Sequence, residues 1–442
     1  MAVGASAAPY VPGEVLVTYA SHSSRAEAAV QDLSRRFDLR IDPTSSPAPD
    51  EQLVTLPRDL TVPQAVVLLR RQPGVAAAVP NYIAHAAGAF YPNDRGKNGQ
   101  PRGWERLQWN FLGGAGVNAP VAWANLIADH RAGARGVVVA ILDTGVAYRD
   151  WHQFRRSPDF AGTTFVKPYD FIAKNAFPLD REGHGTFVAG IVGEATNNHV
   201  GVTGLAYGAS IMPVRVLNAN GTGNAATISR GIRYAATHGA QVINLSLEFS
   251  LDVSAGDIPN ILSAIRFAHR RGVLVVASAG NEGAQEVAYP ARAPAVVSVG
   301  ASTSDRCLAS YSNGGARLDL VAPGGDADMP LSSDPDCHPD RTLPDIFQMT
   351  FFDPSNPRHF GLPGGWFGTS MSAPHVAAAA AMVIASRLLG RHPTPSQILA
   401  RLEATAQPLG TGKPNGDYGY GLVDVGAATT PGGATAVPRA AR

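Results

Sequence analysis

Only two cysteines occur among the 442 residues, too few for a disulfide framework, so stability has to come from buried apolar surface. Charge of one sign is also missing. Lys and Arg number 36 against 35 Asp and Glu, a net charge of +1, which gives no electrostatic pull towards nucleic acid or an anionic membrane. Long hydrophobic runs are absent too. The longest, Val376 to Ala385, is half the roughly 20 residues a bilayer crossing needs, and its alanines suit a core helix. His375, on that run, reads as a satisfied core histidine. Met1-Ala2-Val3-Gly4 has neither the basic start nor the apolar stretch of an export signal, so either such a signal has been removed or the protein is cytoplasmic. No H-E-x-x-H is present, which disfavours a zinc hydrolase. Glycine and proline are plentiful, at 47 and 34, and the apolar fraction is ordinary, so loops are expected and not disorder.

Two regions with different patterns meet near residue 90. In the first, Glu14–Tyr19 alternates like a strand, Arg25–Phe37 has helical spacing (Ala28, Val30, Leu33, Phe37), and Leu53–Leu56 is a second strand. Thr61 caps a helix over Val62–Arg71 that Pro73-Gly74 ends, and Val75–Val79 is a last strand, which together describe a small α+β module. In the second, apolar strands at Val137–Leu142, Ser210–Leu217, Gln241–Leu245, Gly272–Ala277 and Val296–Gly300 alternate with helices such as Ala225–His238 and Ile258–Arg271. That alternation predicts an α/β fold with a parallel central sheet covered by helices on both faces, and ligands outside the strand C-termini.

The chemistry-bearing residues fall at those ends. Asp143 closes the first strand in ILDTGV, His184 sits between glycines at a helix start in HGTFVAG, and Ser370 precedes the Ala-rich run in GTSMSAPHVA. Each has a plain reading as a turn former or cap, but together they are an aspartate, a base and a nucleophile. Asp-Thr-Gly also marks aspartic proteases, but those need a second such carboxylate, and none follows. The order Asp, His, Ser is that of the subtilisins, and the three words resemble the signature segments of the subtilase family of serine proteases. The resemblance covers roughly residues 100 to 428 and implies a serine endopeptidase working through an acyl-enzyme: Ser370 attacks, His184 shuttles the proton, and Asp143 orients the imidazole.

The same resemblance implies more. Asn281, in SAGNEG after a buried strand, corresponds to the asparagine that donates to the oxyanion. Gly221 and Gly223 match an edge that pairs with extended peptide, Ser246 and Leu247 the opposite wall, and Ser278, Ala279 and Gly280 the wall of the main specificity pocket. Gly221-Thr222-Gly223 is a poor dinucleotide site, because Ala226 stands where a third glycine belongs. Two departures stand out: Glu248 where the family usually has glycine, and Phe187 where it often has histidine. Glu248 and Glu282 at the cleft predict broad cleavage with some tolerance for a basic residue before the cut. YVPGEVLV and VAAAVPNYIA resemble inhibitor propeptides, giving an extension at 1–9, a propeptide domain at 10–88 that inhibits its own enzyme, a catalytic domain at 92–430 and a disordered tail at 431–442. The other reading of the first module is an independent binding domain. No cofactor is expected for catalysis. Thr196–Val202 resembles a calcium loop of thermitase-like relatives, with Asn198 and Asp159 as ligands of a structural calcium ion, although a plain polar turn would look the same. Propeptide-bearing subtilases are mostly exported, and in an exported protein an even pair such as Cys307 and Cys337 is usually bridged, free thiols being the other reading. A secreted monomer acting on protein and peptide substrates is therefore expected. The rival is a catalytically silent homologue that only binds, against which the complete trio and Asn281 argue.

Overall fold

The computed structural model describes residues 10–20, 24–41, 50–57, 59–82, 88–97, 99–331, 334–335, 337–339 and 345–432. The expected extension at 1–9, residues 433–442 of the expected tail, and residues 83–87, where processing is expected, lie outside them. The chain forms two compact units, residues 1–87 and 88–442.

The smaller unit carries strands β1 (Tyr10–Tyr19), β2 (Arg40–Ile41), β3 (Glu51–Thr55) and β4 (Val75–Tyr82), with helices α1 (Ser24–Phe37) and α2 (Val62–Arg70) between them. The sheet is antiparallel in the order β2-β3-β1-β4. Alternation in β1 turns Val15, Val17 and Tyr19 inward, where they meet Ala65 and Leu69 of α2. The last strand runs on to Tyr82, past its expected end at Val79. It does so through Pro80 because β4 lies at the sheet edge, where a missing N–H leaves no ladder partner unpaired.

In the larger unit, α3 (Ala119–Ala128) leads into β5 (Val138–Asp143), the short β6 (Thr164–Phe165) and β7 (Tyr169–Asp170), α4 (His184–Gly193), β8 (Ser210–Arg215), α5 (Ala225–Thr237), β9 (Val242–Leu245), α6 (Pro259–Arg270), β10 (Leu274–Ser278) and β11 (Val296–Ser302). Then come β12 (Leu308–Ala309), β13 (Leu320–Pro323), β14 (Asp328–Met329), the hairpin β15 (Thr350–Phe351) and β16 (Phe360–Gly361), α7 (Thr369–Ser386), α8 (Pro395–Thr405) and α9 (Val425–Thr429). The sheet order is β14-β12-β11-β10-β9-β5-β8-β6, with β13 also on β11 and β7 also on β8. Every pairing from β6 to β11 is parallel, as is β13 on β11, while β12 and β14 add an antiparallel edge the sequence did not suggest.

Both faces are covered, and each strand divides its residues between them. Val139 and Ile141 join the core that includes α4 and α7, while Ala140 and Leu142 join the one under α5 and α6. Helix α7 is buried over nearly its whole length, and Ala377 to Ala381 let it lie close on the sheet. A buried Val or Ile contributes about 1.5–3 kcal/mol, so these two cores outweigh any single crosslink. One crosslink exists: a disulfide joins Cys307, just before β12, to Cys337 in the segment leading to Ser370. Closing a loop of 30 residues contributes about 3–4 kcal/mol in the chain-entropy picture. Cys337→Ser should therefore lower unfolding stability by about that amount without preventing folding, as read from denaturant midpoints in wild-type and variant protein.

Candidate active site

Strand ends and helix starts carry the three residues, and a hydrogen bond joins His184 to Asp143. Asp143 is the last residue of β5 and fully buried, and its Oδ1 takes a hydrogen bond from its neighbour's amide, Thr144 N, at 2.7 Å. His184 opens α4, and its Nδ1 lies 2.8 Å from Asp143 Oδ1, so that nitrogen donates and Nε2 is left to face the cleft. The approach depends on Gly185. A Cβ there would stand 2.1 Å from the Gly145 carbonyl oxygen and 3.1 Å from Asp143 Oδ1, so any side chain would push the helix off the strand end.

Asp180 braces the junction. Its Oδ1 accepts from Thr144 Oγ1 at 2.9 Å and from the Gly183 and Glu182 amides at 3.0 Å, and its Oδ2 accepts from Thr186 N at 2.9 Å. The buried carboxylate thereby occupies the open amides at the α4 N-terminus. Sequence reading missed Asp180, because the N-cap position just before α4 is held by Gly183 and Asp180 reaches the helix start from outside it.

Ser370 lies half-buried in the first turn of α7, which packs against α4. Pro374 has no N–H to offer the carbonyl of residue 370, one helical turn back. Ser246 Oγ takes that carbonyl instead, at 2.7 Å, and itself accepts from Asn244 Nδ2 at 2.9 Å. The end of β9 thus holds the backbone of Ser370 by a bond the proline makes available.

Asn281, exposed just beyond β10, is turned by its oxygen. Oδ1 accepts from Thr369 N at 2.8 Å and Thr369 Oγ1 at 3.0 Å, so Nδ2 points the other way and donates once to Glu248 Oε1 at 3.3 Å. Glu248 thus takes one of the two N–H groups of that amide. Ser278, Ala279 and Leu247 are buried around it, with Ser278 Oγ donating to the Leu247 carbonyl at 3.3 Å. Gly280 must be glycine: its φ is +113°, and a Cβ would stand 2.2 Å from Asn313 Nδ2 and 2.9 Å from Glu248 Oε2 and from Glu282 Oε2. Gly221 and Gly223 lie exposed in the turn that follows β8, next to the strand that ends at Asp143. Phe187 stacks on Trp366 at 4.6 Å between ring centroids, and Trp366 tilts towards His184 at 6.3 Å. The aromatic pair stands where a histidine is common in subtilases, and sequence reading did not foresee its partner.

With this geometry in view, residues 134–421 match the Subtilase family and residues 2–81 match the Fervidolysin N-terminal prodomain. The chain belongs to the subtilase family. It is 32% identical over 406 residues to a Thermophilic serine proteinase of Bacillus sp. strain AK1, covering 91% of this chain and 84% of that one. It is 36% identical over 302 residues to Subtilisin Savinase of Lederbergia lenta, covering 66% and 91%. Among solved structures, proteases from Pseudoalteromonas arctica align with a TM-score of 0.61 at 29% identity, covering 77% of this chain and 99% of that one. The protein is therefore a serine endopeptidase of subtilisin type with an N-terminal prodomain, and subtilases need no cofactor for catalysis.

His375 is the core residue the sequence suggested. It is fully buried, with Nδ1 at 2.7 Å from the Met371 carbonyl and Nε2 at 2.8 Å from Asn110 Nδ2, and burial lowers its pKa to about 4. At the expected calcium loop, Asp159 Oδ2 accepts from Val202 N at 2.9 Å, and Asn198 turns its Nδ2, not its oxygen, towards Asp159 Oδ1 at 3.3 Å. Asp94, missed by sequence reading, accepts from the Asn197 and Asn198 amides at 2.9 Å. Burial raises the pKa of Asp94 to about 6 and lifts those of Asp159 and Glu194 well above the usual range. Among the described residues no three His, Cys, Asp or Glu side chains stand together as a ligand set.

Burial lowers the His184 pKa, but the Asp143 charge and hydrogen bond, with Glu182 and Asp180 behind them, raise it further, to about 9 in balance. Only neutral imidazole accepts a proton. Activity is then lost as pH falls through that value, and kcat/KM should climb with pH from neutrality towards 9. Glu182 Oε2 accepts the His184 amide at 2.7 Å, a bond that glutamine can keep without the charge. Glu182→Gln should move the acidic limb of the kcat/KM profile to lower pH; an unmoved limb would show that Glu182 does not set it.

Proposed function

We propose that Ser370, His184 and Asp143 carry out peptide hydrolysis in a chain made as its own inhibited precursor. The observation that carries this reading is the 2.8 Å hydrogen bond from His184 to Asp143, with Ser370 presented at the start of the adjoining helix. Ser370 Oγ attacks the substrate carbonyl while His184 Nε2 takes its proton, and the same nitrogen returns it to the leaving amine. Buried Asp143 holds the imidazole tautomer and stabilises its charged form. The free N–H of Asn281 and the Ser370 amide receive the oxyanion, and a peptide lies extended between the Gly221–Gly223 edge and Ser246–Leu247.

The matched prodomain supports a propeptide at 10–88 and a catalytic domain at 92–430, with cleavage between residues 82 and 92 performed by the enzyme itself. A segment that enters the cleft as a strand blocks the edge the substrate would use. Ser370→Ala should leave the protein folded but lower kcat by about 2 × 10⁶, the loss known for the serine of subtilisin. Purified wild-type protein should shed about 9 kDa, a figure scaled from the size of the module, while Ser370→Ala stays full length. Equal processing of both would assign the cut to another enzyme.

A structural calcium ion would be held by Asp159, Asp94, the Asn198 side-chain oxygen and loop carbonyls. The donors are hard oxygens, which suit Ca²⁺, and the close burial of Asp94, Asp159 and Glu194, which raises the pKa of each, is a cost that a bound cation would relieve. Binding would require the Asn198 amide to turn over. Chelator should lower the melting temperature of wild-type protein and added calcium restore it, whereas Asp159→Asn should be indifferent to both. Export is supported by the disulfide, and no helix among the described residues is long and apolar enough to cross a membrane.

A further inference from the structure

Glu248 is the largest chemical departure in the cleft, and its surroundings give it work. Its Oε1 accepts from the oxyanion amide, Asn281 Nδ2, at 3.3 Å. Its Oε2 is buried and accepts no hydrogen bond, and a Cβ on Gly280 would stand 2.9 Å from it. The charged group facing it is Glu282, whose Oε2 lies against the same glycine, and Asn281 and Gly280 are neutral. Among the described residues no Lys, Arg or His forms an ion pair with Glu248. A buried carboxylate with one oxygen unpaired and a second carboxylate beside it is costly. Either it takes up a proton or a cation is brought to it.

We propose that Glu248 is the specificity-determining residue of this enzyme and selects a lysine or arginine side chain immediately before the cleaved bond. The proposal rests on the assignment of Ser278–Gly280 and Ser246–Glu248 as pocket walls. A substrate ammonium or guanidinium gives Oε2 the donor it lacks and offsets the like charge of Glu282. The gain extends to the reaction itself. Ionised Glu248, hydrogen-bonded to Asn281, places negative charge beside the atom where the oxyanion forms, and a cation in the pocket neutralises it. Part of the preference therefore falls on kcat and not only on KM. Burial and the charge of Glu282 raise the Glu248 pKa to about 7, against the lowering effect of hydrogen bonding from both the side chain and the backbone amide of Asn281, so selection strengthens as pH rises through neutrality.

The test uses mature wild-type enzyme, Glu248→Gln, Glu248→Gly and Glu282→Gln on two peptides that differ only in lysine or leucine before the cut. Active sites are counted with a serine-directed fluorophosphonate. The lysine-to-leucine ratio of kcat/KM should fall about 10-fold or more in both Glu248 variants, the range of one hydrogen bond to a charged group. In wild-type enzyme the same ratio should rise between pH 6 and 8.5, and in Glu248→Gln it should stay flat. His184 titrates equally for both peptides and cancels from the ratio. If Glu248→Gly does not fold, the glutamine variant and the wild-type pH series decide. A ratio unmoved by Glu248→Gln, a flat wild-type series, or a loss confined to Glu282→Gln would overturn the proposal. Hydrolysis of both peptides by Ser370→Ala would instead refute the triad assignment.

Discussion

The amide of Thr369 donates to Asn281 Oδ1 at 2.8 Å, and the alignment of the site depends on that bond more than on any other. It joins the start of α7 to the turn after β10, and by occupying the asparagine oxygen it points the N–H groups towards the cleft. On the other side of α7 the Ser370 carbonyl is held by Ser246. The serine backbone is thus fixed from two strand ends while its hydroxyl stays free. Both ties use backbone groups at a helix N-terminus, where Pro374 and the first turn leave donors and acceptors unpaired. The capping chemistry of an ordinary helix start is here what fixes the backbone at Ser370.

Carboxylates crowd this end of the sheet, and their partners decide what each can do. Asp180 spends both oxygens on α4 and Thr144, so its charge is structural and reaches His184 only through space. Asp143 gives one oxygen to the imidazole and to its neighbour's amide, which holds the tautomer. Glu248 satisfies one oxygen and leaves the other bare. Asp143 Oδ2 is likewise buried without a partner, so of the three only Asp180 has spent both oxygens, and what separates Asp143 from Glu248 is the group each bonds, an imidazole or the Asn281 amide.

Beyond the triad, the surroundings are this chain's own. Phe187 stacks on Trp366, whose ring lies 6.3 Å from that of His184. The segment that supplies Trp366 is anchored near its start by the Cys337 disulfide and further on by Gly368, whose amide donates to the Tyr311 hydroxyl at 3.0 Å. Identities of 29–36% to its relatives are in keeping with a shared backbone frame whose cleft is relined.

Much was legible without coordinates. Strand runs such as Val137–Leu142 are apolar throughout because both faces are covered, and that alone announces a parallel sheet. Asp143, His184, Ser370 and Asn281 stand at or just beyond strand or helix ends, which the local sequence pattern could show, while the roles expected of them came from the resemblance to subtilases. Some things were not local. Asp180, Asp94 and Trp366 act on residues 36 or more positions away or across the insertion, and no periodicity records such a contact. The sequence could show Glu248 as a departure and place it at the rim. Only the tertiary structure decided that one of its oxygens is bonded to Asn281 while the other is buried and bare, because hydrogen-bond satisfaction depends on what surrounds an atom in space and not on what precedes it in the chain.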